Sequence, residues 1–190
     1  MQYDHQFEMA LNYQQFSNYA ENLLTKLSSD DTYSMQHNAK VDLHILQKVK
    51  KTAVISEELC HALQSAKPLI LVILTEGYCG DSAQTFPVFA KMQEMFPDKI
   101  EIKVILRDEH LDIADMQFES RAIPTVVGFD RETLTQKFVW GNRPKPAQKI
   151  MDELKAKNAT QDEKGIALHK WYAADKTNTL QNELIELLNT

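Results

Sequence analysis

Three regimes of hydrophobic spacing follow one another along the chain. Over the first fifty residues apolar side chains recur at helical intervals: Phe16, Tyr19, Leu23 and Leu27, then Ile45, Leu46 and Val49 after a polar break at Ser28 to Thr32. Ser56 offers a hydroxyl N-cap to a short helix that carries Leu59, Cys60 and Leu63 on its apolar face and ends at Pro68. From Leu69 to Leu74 the run is aliphatic without alternation, as expected of a strand covered on both faces. A turn-like segment, Glu76 to Asp81, leads into a helix with Phe86, Phe89, Ala90 and Met92 on its buried face and Pro97 as its stop. Ile100 to Leu106 is a second apolar strand, and Leu111, Ala114, Met116 and Phe118 predict a short helix after it.

Strand, helix, strand, helix in that order predicts a parallel pair joined by a right-handed crossover. After Pro124 the pattern becomes hairpin-like: Thr125 to Phe129, a turn at Asp130-Arg131-Glu132, then a strand with Leu134, Gln136, Phe138 and Trp140 along one side. Ala147, Ile150, Met151 and Leu154 make a closing helix. Thr160 and Glu163 form a capping-box signature for a helix carrying Ile166, Trp171 and Tyr172, and a last amphipathic piece holds Leu180, Leu184, Ile185 and Leu188. The apolar faces of the terminal helices are expected to pack on the same core. A dimer seam through Leu180, Leu184 and Leu188 is the alternative.

Composition narrows the classes. A chain of 190 residues fits one domain with appendages, and eight Phe, six Tyr and two Trp supply core material that a disordered chain lacks. The net charge of −6 argues against a nucleic-acid partner. The Leu69–Leu74 run is far shorter than the ~20 residues a membrane span needs, so no membrane partner is expected. The segment Met1-Gln2-Tyr3-Asp4-His5 lacks the basic and apolar regions of a signal peptide, so the expected location is cytoplasmic. Two cysteines are too few for a disulfide scaffold or a structural zinc site, and the six histidines show no ligand spacing. No metal and no cofactor is therefore expected.

The chemistry rests on which cysteine matters. Cys79 follows the end of a buried strand at the entrance of a helix, where unpaired N–H groups and the helix dipole favour a thiolate. Glu76 and Asp81 act against that, because nearby negative charge raises a thiol pKa. The balance predicts moderate activation. Pro87 lies inside the following helix, and Ala122-Ile123-Pro124-Thr125 sets a proline directly before a strand, a place for a cis peptide. Cys60 shares a helix face with leucines and reads as core.

Tyr78-Cys79-Gly80-Asp81-Ser82, Pro87, Ile123-Pro124-Thr125 and Gly141, at this spacing, resemble the thioredoxin-like superfamily, and within it a bacterial branch with a Glu-Gly-(aromatic)-Cys-Gly-Asp segment. The resemblance covers roughly Thr52 to Lys157. It implies an α/β, three-layer thioredoxin-like fold over residues 52–157, with a central mixed β-sheet flanked by helices. Residues 1–51 and 158–190 are then helical N- and C-terminal extensions. It assigns the attacking sulfur to Cys79 and places Tyr78, Gly80, Asp81, Ile123, Pro124 and Gly141 around it as the surface for substrate.

Two departures from the family pattern matter. Ser82 stands where the resolving cysteine belongs, and a hydroxyl cannot displace a partner from a mixed disulfide. Ile73 stands where many thioredoxins carry a buried acid. The expected function is monothiol thiol-disulfide exchange with a disulfide-containing protein or a low-molecular-weight thiol, an external thiol completing the cycle. Ser82 either donates to the Cys79 thiolate or caps the helix. Trp140 belongs either to the site or to the core, Arg121 brings positive charge close to the site, and Arg107-Asp108-Glu109 is either functional or a solvated loop. Two other functions compete: a redox-inactive peptide-binding module, and a glutaredoxin-like glutathione or iron–sulfur binder suggested by Cys79-Gly80-Asp81-Ser82. The lysine that glutaredoxins carry ahead of the cysteine has no counterpart here.

Overall fold

The computed structural model describes residues 9–26, 33–117 and 121–189; Leu27, the Ser28–Thr32 break, Phe118, the segment with His5 and the side chains of His37 and Met116 lie outside that description. The described chain opens with the helices α1 (Tyr13–Lys26), α2 (Tyr33–Thr52) and α3 (Glu57–Ser65). Ser56 starts α3 as expected, its hydroxyl accepting from the Leu59 N–H at 3.2 Å. Then follow β1 (Leu69–Thr75), α4 (Gly80–Met95), β2 (Ile100–Leu106) and α5 (Leu111–Gln117). The hairpin β3 (Thr125–Asp130) and β4 (Gln136–Gly141) precedes α6 (Lys145–Ala156), α7 (Gln161–Asp175) and α8 (Asn178–Leu188).

The sheet has the order β2-β1-β3-β4. β1 pairs in parallel with β2, Leu69 opposite Ile100 and Thr75 opposite Leu106, with α4 as the crossover. It pairs antiparallel with β3, which turns back into β4. Every residue of β1 is buried, which is why its sequence does not alternate. Leu69, Leu71 and Ile73 enter the main core with Phe16 of α1, Leu59 of α3, Phe86 of α4 and Leu180 of α8. Ile70, Val72 and Leu74 point the other way, into a second cluster with Ile113 of α5 and with Val127 and Phe129. The result is a mixed sheet flanked by helices, an α/β architecture. No described helix is long and apolar enough to cross a membrane.

The hairpin corrects one detail. Phe138 and Trp140 are buried, but Gln136 is exposed, and Leu134 precedes the strand with a left-handed φ of 53°. A register shift between Gly128 and Phe129 sets Phe129 opposite Gln136, so the apolar alternation starts only after that irregularity. On α7 Ile166 is exposed and Tyr172 buried, so the apolar stripe read along that helix is not continuous. The capping box at Thr160 and Glu163 is present.

The C-terminal segment is built into the core. Trp140 packs edge-on against Phe89 with ring centroids 5.7 Å apart, and its Nε1 donates to Glu183 of α8 at 2.7 Å. The other Glu183 oxygen accepts from the Lys145 N–H at 2.7 Å, tying down the start of α6. Gln181 accepts from the Ser56 N–H at 2.8 Å and donates to the Val54 carbonyl at 3.0 Å. Leu180 and Leu184 are fully buried within the chain, which withdraws both from any seam between copies.

Candidate active site

β1 ends on Thr75 and α4 begins at Gly80, so the four residues between, Glu76 to Cys79, lie at the carboxyl edge of the sheet. Cys79 is the N-cap residue of α4, extended at φ −98° and ψ 113°, and its side chain makes no capping bond. Its thiol instead donates to the Ile123 carbonyl at 3.5 Å. The Ile123–Pro124 peptide is cis. Thr125 pairs with Gly141 at the end of β4. Gly141 has a φ of 151°, and a Cβ there would lie 2.6 Å from the Pro124 carbonyl oxygen, so glycine is required on both counts. Cys79, Ile123, Pro124 and Gly141 therefore meet.

Ser82 does not cap the helix. It sits one turn inside α4, 2% exposed, and its hydroxyl accepts from Thr75 Oγ1 at 2.5 Å. Thr75 was not singled out by sequence, although a hydroxyl closing an otherwise aliphatic strand is its signal. Tyr78 points to β2: its hydroxyl donates to the Asp108 carboxylate and accepts from Arg107 Nη2 at 3.0 Å. Burial and the Asp108 carboxylate keep that phenol protonated, raising its pKa. Arg107 and Asp108 thus belong to the site's framework. Glu76, buried, accepts from the Tyr19 hydroxyl at 3.1 Å and from the Asp108 N–H at 2.8 Å. Desolvation raises its carboxyl pKa.

Asp81 is engaged on both oxygens. Arg143 Nε and Nη2 donate to Oδ2 at 3.0 and 2.5 Å, and the Tyr172 hydroxyl donates to Oδ1 at 2.7 Å. Arg143 also donates to Gln148 at 2.8 Å. The Asp81 side chain is therefore turned into the protein. Gly80 has a different neighbour: a Cβ there would come within 3.2 Å of Asp42 Oδ1, so the missing side chain lets α2 bring a carboxylate against the start of α4. Asp42 itself is 6% exposed, in the buried stripe formed with Ala39 and Leu46. Desolvation, and next the Asp81 charge, push its carboxyl pKa up to about 7. An acid at a core-facing helical position was the signal that could have found it. Arg143 and Tyr172 left none, because only the tertiary fold brings them to Asp81.

These groups decide the state of the sulfur. Burial pushes the Cys79 thiol pKa up to about 11; the Ser82 hydroxyl and N–H work the other way, and the Asp81 and Asp42 charges add to the rise. Burial and the two carboxylates thus act against the activation expected of the helix end. Cys60, partly buried on α3, packs against the main core, and both cysteines are free. Among the described residues no group of three or more His, Cys, Asp and Glu side chains is arranged to hold a metal ion.

The comparisons with known proteins agree with this fold. The model of a family described as thioredoxin matches residues 28–155, a span that includes α2 and ends in α6. No curated protein matches the chain. Among solved structures, a protein of unknown function from Pseudomonas aeruginosa is similar at 17% identity and a TM-score of 0.64, the alignment covering 98% of this chain and 96% of that one. An HIV epitope scaffold is similar at 16% identity and a TM-score of 0.62, with 98% and 97% covered. At such identities the likeness is one of fold.

Proposed function

Because this chain belongs to the thioredoxin family, we propose that it exchanges thiols and disulfides through Cys79 alone, as a monothiol. The Cys79 thiol loses its proton, and the thiolate attacks one sulfur of a disulfide R–S–S–R′. The Cys79–S–S–R bond forms, the old S–S bond breaks, and R′–S⁻ leaves with the electron pair and takes up a proton. An external thiolate then attacks the mixed disulfide, forms R–S–S with it and returns Cys79. Ser82 has no sulfur to offer at this step, and Cys60 packs into the core from α3. The partners are a disulfide-bearing protein or a low-molecular-weight thiol, and a reducing compartment such as the cytoplasm supplies the resolving thiol.

One observation carries this reading: among the described residues, the one cysteine at the site stands at the start of α4, against the Ile123 carbonyl of the cis-proline loop. A disulfide lying along that loop meets the sulfur there. The raised thiol pKa favours a second reading, a peptide-binding module with no redox turnover, because the resting sulfur is a thiol and not a thiolate at neutral pH. The two separate in one experiment. Incubation with oxidised glutathione followed by intact-mass analysis should show one glutathione adduct, mapped to Cys79 and absent from Cys79→Ser. If the unmodified mass persists at pH 9 as well as pH 7, exchange is ruled out and the binding reading stands.

A further inference from the structure

Beside the site, lined by Gly80 and Asp81 of α4's first turn, lies a cavity of about 870 Å³ between α2, α4 and α7. That is within the range of small-molecule sites, roughly 300–1,000 Å³. Its charged lining is Asp42, Asp81, Arg143, Asp162 and Lys164, with His169 and the phenols of Tyr78 and Tyr172 as its other titratable groups. Asp81 and Arg143 are paired with each other. Asp42 is not: buried to all but 6% of its surface, it faces this cavity and has no hydrogen-bond partner among the described residues. A carboxylate so little exposed to water gains from a donor, and the cavity is a direction from which one can come.

A second observation points to the same space. Gly165 lies in the interior of α7, where glycine costs roughly 0.5–1 kcal/mol against alanine. No steric demand explains it: a Cβ at Gly165 would meet nothing within 4 Å. Neither a positive φ nor a close packing partner is involved. Gly165 lines the cavity, and the space beside its Cα is open.

We propose that this cavity binds a small organic cation, a primary ammonium or guanidinium group on an apolar body, with the cationic head against Asp42. The size excludes a bare metal ion as the natural fit, and Val41, Met151 and Leu168 give the body an apolar wall. Cation–π contact with the Tyr78 ring, which also lines the cavity, adds to the attraction. The head stands beside one of the two carboxylates that hold the Cys79 proton on, so its charge makes the thiol easier to ionise. This inference goes beyond disulfide exchange and does not depend on it.

The test uses the full chain and three probes, 1,4-diaminobutane, agmatine and 2-phenylethylamine, with 3-phenylpropionate as the anionic counterpart. Isothermal titration should give saturable millimolar or tighter binding for at least one amine and none for the anion. Asp42→Asn should weaken that binding about tenfold, the scale of one lost charge-assisted hydrogen bond. Gly165→Trp, which fills the cavity and leaves Asp42 untouched, should abolish it, so a folding defect in one variant does not decide the matter. Iodoacetamide labelling read at the Cys79 peptide should speed up several-fold at amine saturation and not in Gly165→Trp. No saturable amine binding, equal binding by the anion, or binding that survives both variants overturns the proposal. Calorimetry reads the cavity whether or not Cys79 exchanges disulfides, so the two ideas fail separately.

Discussion

Two sets of elements meet at Cys79 and do different work. β1, the turn after it, the start of α4 and the cis-proline loop act mostly through backbone: they fix where the sulfur is and what carbonyl it faces. The helices outside that frame act through side chains: α2 brings Asp42 and α7 brings Tyr172, while Arg143 arrives from the segment between β4 and α6. The first set resembles a site poised for thiolate chemistry, yet it also buries the sulfur and sets the Asp81 charge beside it; the second adds the Asp42 charge to that opposition. Position is thus set by one part of the chain and reactivity by both. A thiol at a helix N-terminus is not thereby an activated thiol.

The largest effect that tests this division is on stability. Arg143→Met leaves the Asp81 charge buried with only the Tyr172 hydroxyl beside it, and breaking a buried pair of this kind costs about 3–5 kcal/mol. Urea unfolding should show the loss, and the Asp81→Asn/Arg143→Met double variant should recover much of it. A single variant as stable as the wild type means that the second set of elements is not holding the site together. Tyr172→Phe is the milder version. It removes a 2.7 Å bond to a buried carboxylate that keeps its two bonds from Arg143, for about 2 kcal/mol.

Next comes the sulfur itself. With its pKa moved from 9.0 to about 11, Cys79 carries about a hundredfold less thiolate at neutral pH than an ordinary thiol. The more basic thiolate is the better nucleophile, with a Brønsted slope of about 0.4–0.5, so the net rate should be about tenfold lower. Alkylation rates across pH 7 to 12 should rise to a midpoint near the raised value. A midpoint of about 8.5 means the helix end has prevailed over burial.

The same division explains what was legible in the sequence. The strand run Leu69–Leu74, the Cys79 segment, the proline before β3 and Gly141 are local signals, each readable because a backbone requirement dictates a residue type at one place. They foretold the sheet and the crossover, while the meeting of Cys79 with Ile123, Pro124 and Gly141 was what the resemblance to the thioredoxin-like superfamily implied. Ser82 was readable as a missing sulfur but not as the partner of Thr75, since that bond joins a strand end to a helix interior. Asp42, Arg143 and Tyr172 lie at sequence separations of 39, 62 and 91 residues from Asp81. Charge balance among them depends on how helices dock, which no local pattern encodes. The thiol's direction depends on the same docking, since burial of Cys79 acts most strongly on it and the Asp81 and Asp42 charges add to that.

Asp42 gives the smallest effect and the sharpest sign. Its carboxyl titrates at about 7 in the folded chain against a reference of 3.8. Below pH 4 both folded and unfolded chains hold the proton, and burial costs nothing extra. Between pH 4 and 7 the folded chain keeps a proton that the unfolded chain has lost, so stability falls as pH rises through this window. Above pH 7 the whole cost is present. Asp42→Asn removes the charge but leaves a buried amide to satisfy, so the expected gain is about 1 kcal/mol at pH 8 and nothing at pH 4, read from denaturation midpoints at the two values. The same variant removes one of the charges opposing the thiolate, so Cys79 should alkylate faster by a small factor at pH 8. A gain that is equal at both pH values belongs to packing, not to charge, and assigns Asp42 to the frame that places the sulfur; a gain confined to pH 8 assigns it to the elements that set its reactivity.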